Sequence, residues 1–261
     1  MNRLVPVARL ALLGLLGAFL LVPERFAGLF RPFAPAGAAP IYTQTPLLTL
    51  TINHLLLVAT ATGAAGILAV GFAVAATRSS GREILPFARA VAHLGQTFPP
   101  VAVLALAVPI FGFGAGPTLI ALILYGLLPI FETALTGLGG LDPALMEAAR
   151  GMGLTDRQRL LQVELPLALP MILSGIRLSA IIGLATATIG STVAASTLGE
   201  VIVAGLLTGN TAYVLQGGLV VSALALLIDA GLRDLERVAA RRSGSRSRSG
   251  SVEDRIIQDP G

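Results

Sequence analysis

Three ionisable side chains, Glu132, Arg177 and Asp229, stand inside long apolar runs. A charge held in an apolar layer costs at least about 2.5–3.5 kcal/mol on insertion scales, so each needs a partner or water. Two kinds of chemistry meet that demand. One is a gate or polar pathway through the layer; the other is a structural ion pair that neutralises Arg177 and fixes helix register. Depth favours Glu132 as the partner. It lies about seven residues from the inner end of its run, and Arg177 about eleven past Pro166, roughly 16 Å at 1.5 Å per residue. Asp229 is the alternative and sits shallower. Toward the opposite face, Ser191, Thr192, Ser196 and Thr197 fall in a small, polar stretch that ends in Leu198-Gly199-Glu200. Irregular backbone survives at such depth only where protein or water covers it, so these hydroxyls are candidates to line a path.

Catalysis has little to work with. The chain has no lysine, so a Gly-x-x-x-x-Gly-Lys phosphate cradle is excluded, and any ATP hydrolysis belongs to another chain. It has no cysteine, which excludes disulfides and thiolate metal sites. His54 and His93 lie far apart with no carboxylate cluster at ligand spacing, and read as interfacial or packing residues. Neither a metal nor a cofactor is expected. A proton relay needs titratable groups along the whole apolar layer, and the outer halves have almost none.

The elements that hold these residues are transmembrane helices. Hydrophobic residues make up 54% of the chain, charged residues 12%, and mean hydropathy is +0.83; a soluble domain carries about 25% charged residues. The 261 residues leave room for about six spans of ~20 residues. The hydropathy places them near residues 7–22, 47–76, 97–111, 118–138, 166–189 and 213–232, with residues 201–207 too short to cross. Arg78, Arg82, Arg150, Arg157, Arg159, Arg233 and Arg237 then gather at one face, which the positive-inside bias makes cytoplasmic. The amino terminus, the loop at Glu147 and the carboxyl terminus follow to the same side; Arg25 and Arg31 run against the bias. The first span resembles a secretory signal in its basic start and apolar core. The small residues Ala36-Gly37-Ala38 lie too far beyond that core, so an uncleaved anchor is expected. Residues 1–46 thus form an N-terminal transmembrane anchor and external connector, residues 47–242 the transmembrane domain, and residues 243–261 a Ser/Arg/Gly-rich, disordered cytoplasmic tail.

Between spans four and five lies a polar, Arg-bearing island with its own grammar. Asp142 is placed to cap a short helix with Pro143 at its first position. Gly151 and Gly153 end it. Thr155 and Gln158 then have the spacing of a capping box for a second helix, and Pro166 makes Leu165 its expected boundary. Two short helices joined by glycines, in water between lipid-embedded runs, form an element built to be gripped.

The island also carries a pattern: Glu147-Ala148-Ala149, three residues, Gly153, nine residues, Val163, then Leu165-Pro166. It resembles the EAA loop of ABC importer permeases, with Val163 where Ile is usual. The resemblance runs over roughly residues 43–242 and implies an all-α integral membrane fold, a five-span type I importer core preceded by an N-terminal helix. It implies that this loop docks into the ATP-binding subunit, and that the partners are an ATP-binding subunit dimer, a second permease subunit, a periplasmic or surface substrate-binding protein and the lipid bilayer of the bacterial inner membrane. No nucleic acid is expected.

Gln96-Thr97-Phe98-Pro99, Leu128-Pro129-Ile130, the run from Glu164 to Pro170, Gly175-Ile176-Arg177 and Ile228-Asp229 narrow the resemblance to osmoprotectant permeases, which import glycine betaine, choline or carnitine. The family's glycine-rich run before Leu198-Gly199-Glu200 is replaced here by Ala194-Ala195-Ser196-Thr197. Quaternary ammonium groups are best held by aromatic cages, Trp above all. A chain with no Trp and 5% aromatics leaves recognition to an external binding protein. The alternatives are an importer of the same build for amino acids or sulfonates, and an ion-coupled secondary carrier. The carrier would call for an inverted repeat and midplane charges, and no internal repeat is visible.

Overall fold

The computed structural model describes residues 4–78, 81 and 83–244; Arg82 and the tail beyond residue 244 lie outside the described residues. Those described form helices and turns without strands. The helices are α1 (Leu4–Leu21), α2 (Ala27–Phe30), α3 (Leu47–Thr77), α4 (Ile84–Thr97), α5 (Pro100–Phe111), α6 (Ala115–Gly139), α7 (Pro143–Gly151), α8 (Asp156–Arg159), α9 (Leu165–Thr186), α10 (Gly199–Thr208) and α11 (Thr211–Arg242). Four helical stretches, built on α3, α6, α9 and α11, are long and apolar enough to cross a membrane, or up to six if two bent pairs each count as one span.

The centre of the bundle is α3, α6 and α9. Small residues set the spacing. Gly126, Ile130, Thr133 and Gly137 form one stripe of α6, and Ala168, Ile172, Gly175 and Ser179 the matching stripe of α9. Gly175 lies so close to Pro129, Ile130 and Thr133 that a Cβ there would have no room. In lipid, where water does not drive apolar faces together, such close approach supplies the packing attraction.

Of the two bent pairs, the first keeps its expected span, with α1 over Leu4–Leu21, and the second departs from it. The chain turns by 109° after α1, at Pro23. The span expected at residues 97–111 is instead α5 alone, preceded by the amphipathic α4 and a 99° bend at Phe98-Pro99. Arg89 lies on α4 with Nε 3.4 Å from Glu132.

The connector after α2 is fastened to the α10–α11 hairpin by buried amides. Gln216, fully buried, donates to Pro40 O (2.7 Å) and Ala212 O (3.0 Å) and accepts from Tyr42 N (3.1 Å). Asn210 donates to Ala39 O at 3.0 Å and caps α11. Tyr42 Oη and Thr45 Oγ1 both donate to Glu200 Oε1, at 2.7 and 2.6 Å. Burial first, and then the Glu200 bond, push the Tyr42 phenol up to about 12, so it stays a donor. Gln216→Leu strands the Tyr42 N–H and the Pro40 carbonyl. We expect a loss of about 1–3 kcal/mol for each stranded group, read as earlier thermal unfolding in detergent. Ser222→Ala, which removes only an exposed bond to Gly218 O, should leave unfolding unchanged.

Candidate functional site

The island between α6 and α9 folds as its local chemistry dictates. Asp142 accepts from Ala144 N at 2.9 Å and caps α7, with Pro143 at the first position. The exit is a Schellman turn: Leu154 N donates to Ala149 O (3.2 Å) and Gly153 N to Arg150 O (2.9 Å). Gly153 sits at φ +80°, where an L side chain costs roughly 1–2 kcal/mol. Thr155 and Gln158 then exchange capping bonds at the start of α8.

The boundary expected at Leu165-Pro166 is absent. Residues Leu160–Glu164 form one π turn, closed by Leu165 N to Leu160 O, and the chain runs on into α9. The wider turn and the position of Pro166 in the first turn of α9 explain this, because a donor is not needed there.

Burial divides the pattern residues into an anchor and a presented face. Ala149 is 1% exposed, and Val163 and Leu165 are half-buried. Glu147, Ala148, Gly153 and Pro166 are exposed, and Met152 at the tip is exposed to 74%. Behind this face lies a cleft of ≈ 670 Å³ lined in part by Arg78, Arg150, Gly153, Thr155 and Glu164. Glu164 ties it together. Both terminal nitrogens of Arg78, at the end of α3, bond its carboxylate, and Arg159 Nε donates to it at 3.0 Å. Arg159 also reaches Asp156 at 2.9 Å. Arg159 and Glu164 thus link α8 to the base of α9 and to α3. Sequence reading did not single out this junction, although a carboxylate one residue before the first apolar turn was its signal.

The buried charges pair differently from the expectation. Arg177 does not meet Glu132. Its Nη1 lies 3.1 Å from Asp229 and its Nε 2.6 Å from Glu236 on α11, while Arg233 holds the other oxygen of Asp229 at 2.6 Å. Neither depth nor azimuth bore out that pairing: the contacts Gly126–Ser179 and Gly137–Ala168 set Arg177 level with Leu128, about one turn from Glu132, and its partners are the shallower Asp229 and Glu236. At 100° per residue, Glu132 points about 130° away from the α6 stripe that faces α9, and Arg177 about 170° away from the α9 stripe. Glu236 was missed; Asp229, Arg233 and Glu236, at i, i+4 and i+7, share one face of α11 and were the available signal.

In the small-residue stretch, Ser191 donates to Thr188 O (2.9 Å) and Thr192 to Ile189 O (2.7 Å). Thr197 is buried, bonded to Ala187 O (3.1 Å) and accepting from Gly199 N (3.2 Å). Ser196 is exposed and accepts from Asn53 at 3.3 Å. Three of these four hydroxyls thus serve the local backbone. Ala194 takes φ +64°, a left-handed position where glycine would be unstrained.

Comparison with known proteins completes the picture. Residues 67–239 match the family model described as "Binding-protein-dependent transport system inner membrane component". The osmoprotectant import permease protein OsmY of Salmonella typhimurium is 37% identical over 186 residues, 71% of this chain and 79% of that protein. The carnitine transport permease protein OpuCB of Listeria monocytogenes is 37% identical over 190 residues, 73% of this chain and 86% of its own. The glycine betaine/carnitine/choline transport system permease protein OpuCB of Bacillus subtilis is 36% identical over 173 residues, 66% and 78% of the two chains. Among solved structures, an inward-facing MetNI methionine ABC transporter chain superposes with a TM-score of 0.66 at 20% identity, covering 74% of this chain and 95% of that one. That likeness speaks for the fold alone.

Proposed function

The chain belongs to the family of binding-protein-dependent transport system inner membrane components, and from that premise we propose that it is the permease subunit of an ATP-driven importer of quaternary amine osmoprotectants such as glycine betaine, choline or carnitine. One observation carries the choice of cargo: the relatives at 36–37% identity are named for osmoprotectant, carnitine, choline and glycine betaine transport. The chain supplies passage and coupling. Two ATP-binding subunits supply hydrolysis, a second permease subunit completes the path, and an external binding protein delivers cargo.

Coupling is assigned to Glu147, Ala148, Ala149, Gly153, Val163, Leu165 and Pro166. Exposed Glu147, Ala148 and Met152 meet the ATP-binding subunit, and the Glu164 junction carries its movement into α3 and α9. Residues 1–46 serve as anchor and external connector, 47–242 as the transport domain and 243–261 as a cytoplasmic tail. Ser191, Thr192, Ser196 and Thr197 shape the outer end of the path, and Arg177 with Asp229 braces α9 on α11.

Reconstitution with an ATP-binding subunit and a substrate-binding protein that co-purify with it tests the reading. Labelled carnitine, choline or glycine betaine should enter vesicles only with ATP. Uptake driven by an ion gradient without ATP would overturn the importer; uptake of methionine or a sulfonate instead would overturn the cargo.

A further inference from the structure

The arrangement of α4 divides it into three arcs at 100° per residue. Ala88, Ala92 and Gly95 are buried against α6. Phe87 and Leu94 lie on a second arc, apolar and exposed to 64% and 52%. Arg89, His93, Gln96 and Thr97 lie on the third with Pro86, all exposed, and its half nearer the break is polar.

Contacts with α6 fix the depth of this polar arc. Gly95 lies against the Leu124 carbonyl so closely that a Cβ would not fit. The Tyr125 hydroxyl donates to Phe98 O, and Arg89 meets Glu132. The arc therefore lies beside the middle of α6, about 14–26 Å from its outer end at 1.5 Å per residue. Lipid tails at that depth offer polar groups nothing.

The backbone adds an independent demand. An α-helix would satisfy the carbonyls of Gly95 and Gln96 from the N–H groups four residues on. Those residues are Pro99 and Pro100, which have none. The helix thus ends at mid-depth with carbonyls that its own continuation cannot satisfy, and the chain turns away by 99°. Broken backbone at membrane depth persists where protein or a water-filled cavity covers it.

We infer that the polar arc of α4 and the break at Phe98-Pro99 line a water-filled segment of the transport path, and that the break is where the quaternary ammonium head of the cargo passes. The inference rests on the permease reading above. The carbonyl end of α4 carries partial negative charge, and the Phe98 ring beside it, 47% exposed, offers a face for a passing cation. Glu132 neutralises Arg89, so the arc does not repel that cation. The site gives transit rather than tight capture, consistent with the shortage of aromatics.

Single cysteines test this cleanly, because the native chain has none. His93→Cys and Gln96→Cys sample the polar arc; Phe87→Cys and Leu94→Cys sample the apolar one. Each is assembled with its partner subunits in membranes and treated with a charged methanethiosulfonate reagent. The thiolate is the reactive form and is suppressed in apolar surroundings, so positions 93 and 96 should react at least about tenfold faster, the effect of one unit of thiol pKa. Carnitine supplied during ATP-driven turnover should slow labelling at position 96. Equal rates on both arcs, or faster reaction at 87 and 94, would overturn the path. Rapid labelling at 96 that carnitine leaves unchanged while carnitine is being transported would overturn passage at the break. Absence of any quaternary amine uptake would instead sink the cargo reading, and the thiol contrast would still judge the path.

Discussion

Gly153→Pro is expected to leave the chain inserted in the membrane and to abolish uptake. Gly153 holds φ at +80°, whereas proline fixes φ near −65°. Proline also deletes the donor that closes the Schellman turn, Gly153 N to Arg150 O at 2.9 Å. The turn that aims α7 against α8 then cannot form. The transmembrane helices do not depend on it, since α7 and α8 stand outside the packed centre of α3, α6 and α9. Gly153→Ala keeps the donor and meets no atom within 4 Å, so only the cost of the left-handed backbone remains, roughly 1–2 kcal/mol. It should impair transport partially. Glu147→Arg tests the presented face separately, because Glu147 is exposed and its reversal should spare the fold while releasing the ATP-binding subunit. Co-purification of that subunit and cargo-stimulated ATP hydrolysis are the measurements. Normal transport by both Gly153→Pro and Glu147→Arg would remove the coupling assignment.

What the sequence made legible was local. The caps at Asp142 and Thr155 and the helix end at Gly153 depend on residues within a few positions of one another, and their chemistry admits few alternatives. The helix α3 was equally plain, with its start at Leu47 read directly from an apolar run. The amphipathic α4 was overlooked because its buried arc is built from Ala88, Ala92 and Gly95, whose hydropathy signal is weak beside Phe87 and Leu94 on an exposed arc. Close approach of helices rewards small residues, and small residues leave faint periodicity. Pro166 misled for another reason: a proline stops a helix only where its missing donor is needed, and the π turn before it removes that need. The clamp of Gln216 on the connector joins residues 174 positions apart, a partnership that periodicity cannot reveal. The Arg177 pairing failed between these extremes, since counting from the span ends fixed neither the level of its partner nor the direction it faces.

Arg177→Leu should therefore be among the most damaging single changes in the transmembrane domain. Arg177, Asp229 and Glu236 are 22%, 18% and 19% exposed, so the loss of the guanidinium leaves two carboxylates in a poorly solvated seam between α9 and α11. Breaking a buried pair from one side costs about 3–5 kcal/mol. Asp229 keeps Arg233 at 2.6 Å; Glu236 has no other ion pair among the described residues, so it is the group most harmed. This asymmetry sets the expected pattern. Arg177→Leu and Glu236→Leu should each lower the yield of folded protein sharply, and the double change should recover much of the loss, because both ends of one interaction are then apolar. Arg177→Leu with Asp229→Asn should recover less, since that pair of changes leaves both Glu236 and Arg233 without their partners. Glu132→Leu combined with Arg177→Leu should simply add, because Glu132 answers to Arg89 on the other side of the bundle. A double-mutant cycle on detergent-solubilised protein reads all three couplings. Strong coupling between Arg177 and Glu132, with none between Arg177 and Glu236, would mean that α9 faces α6 and not α11 with its charge, and would overturn the seam described above.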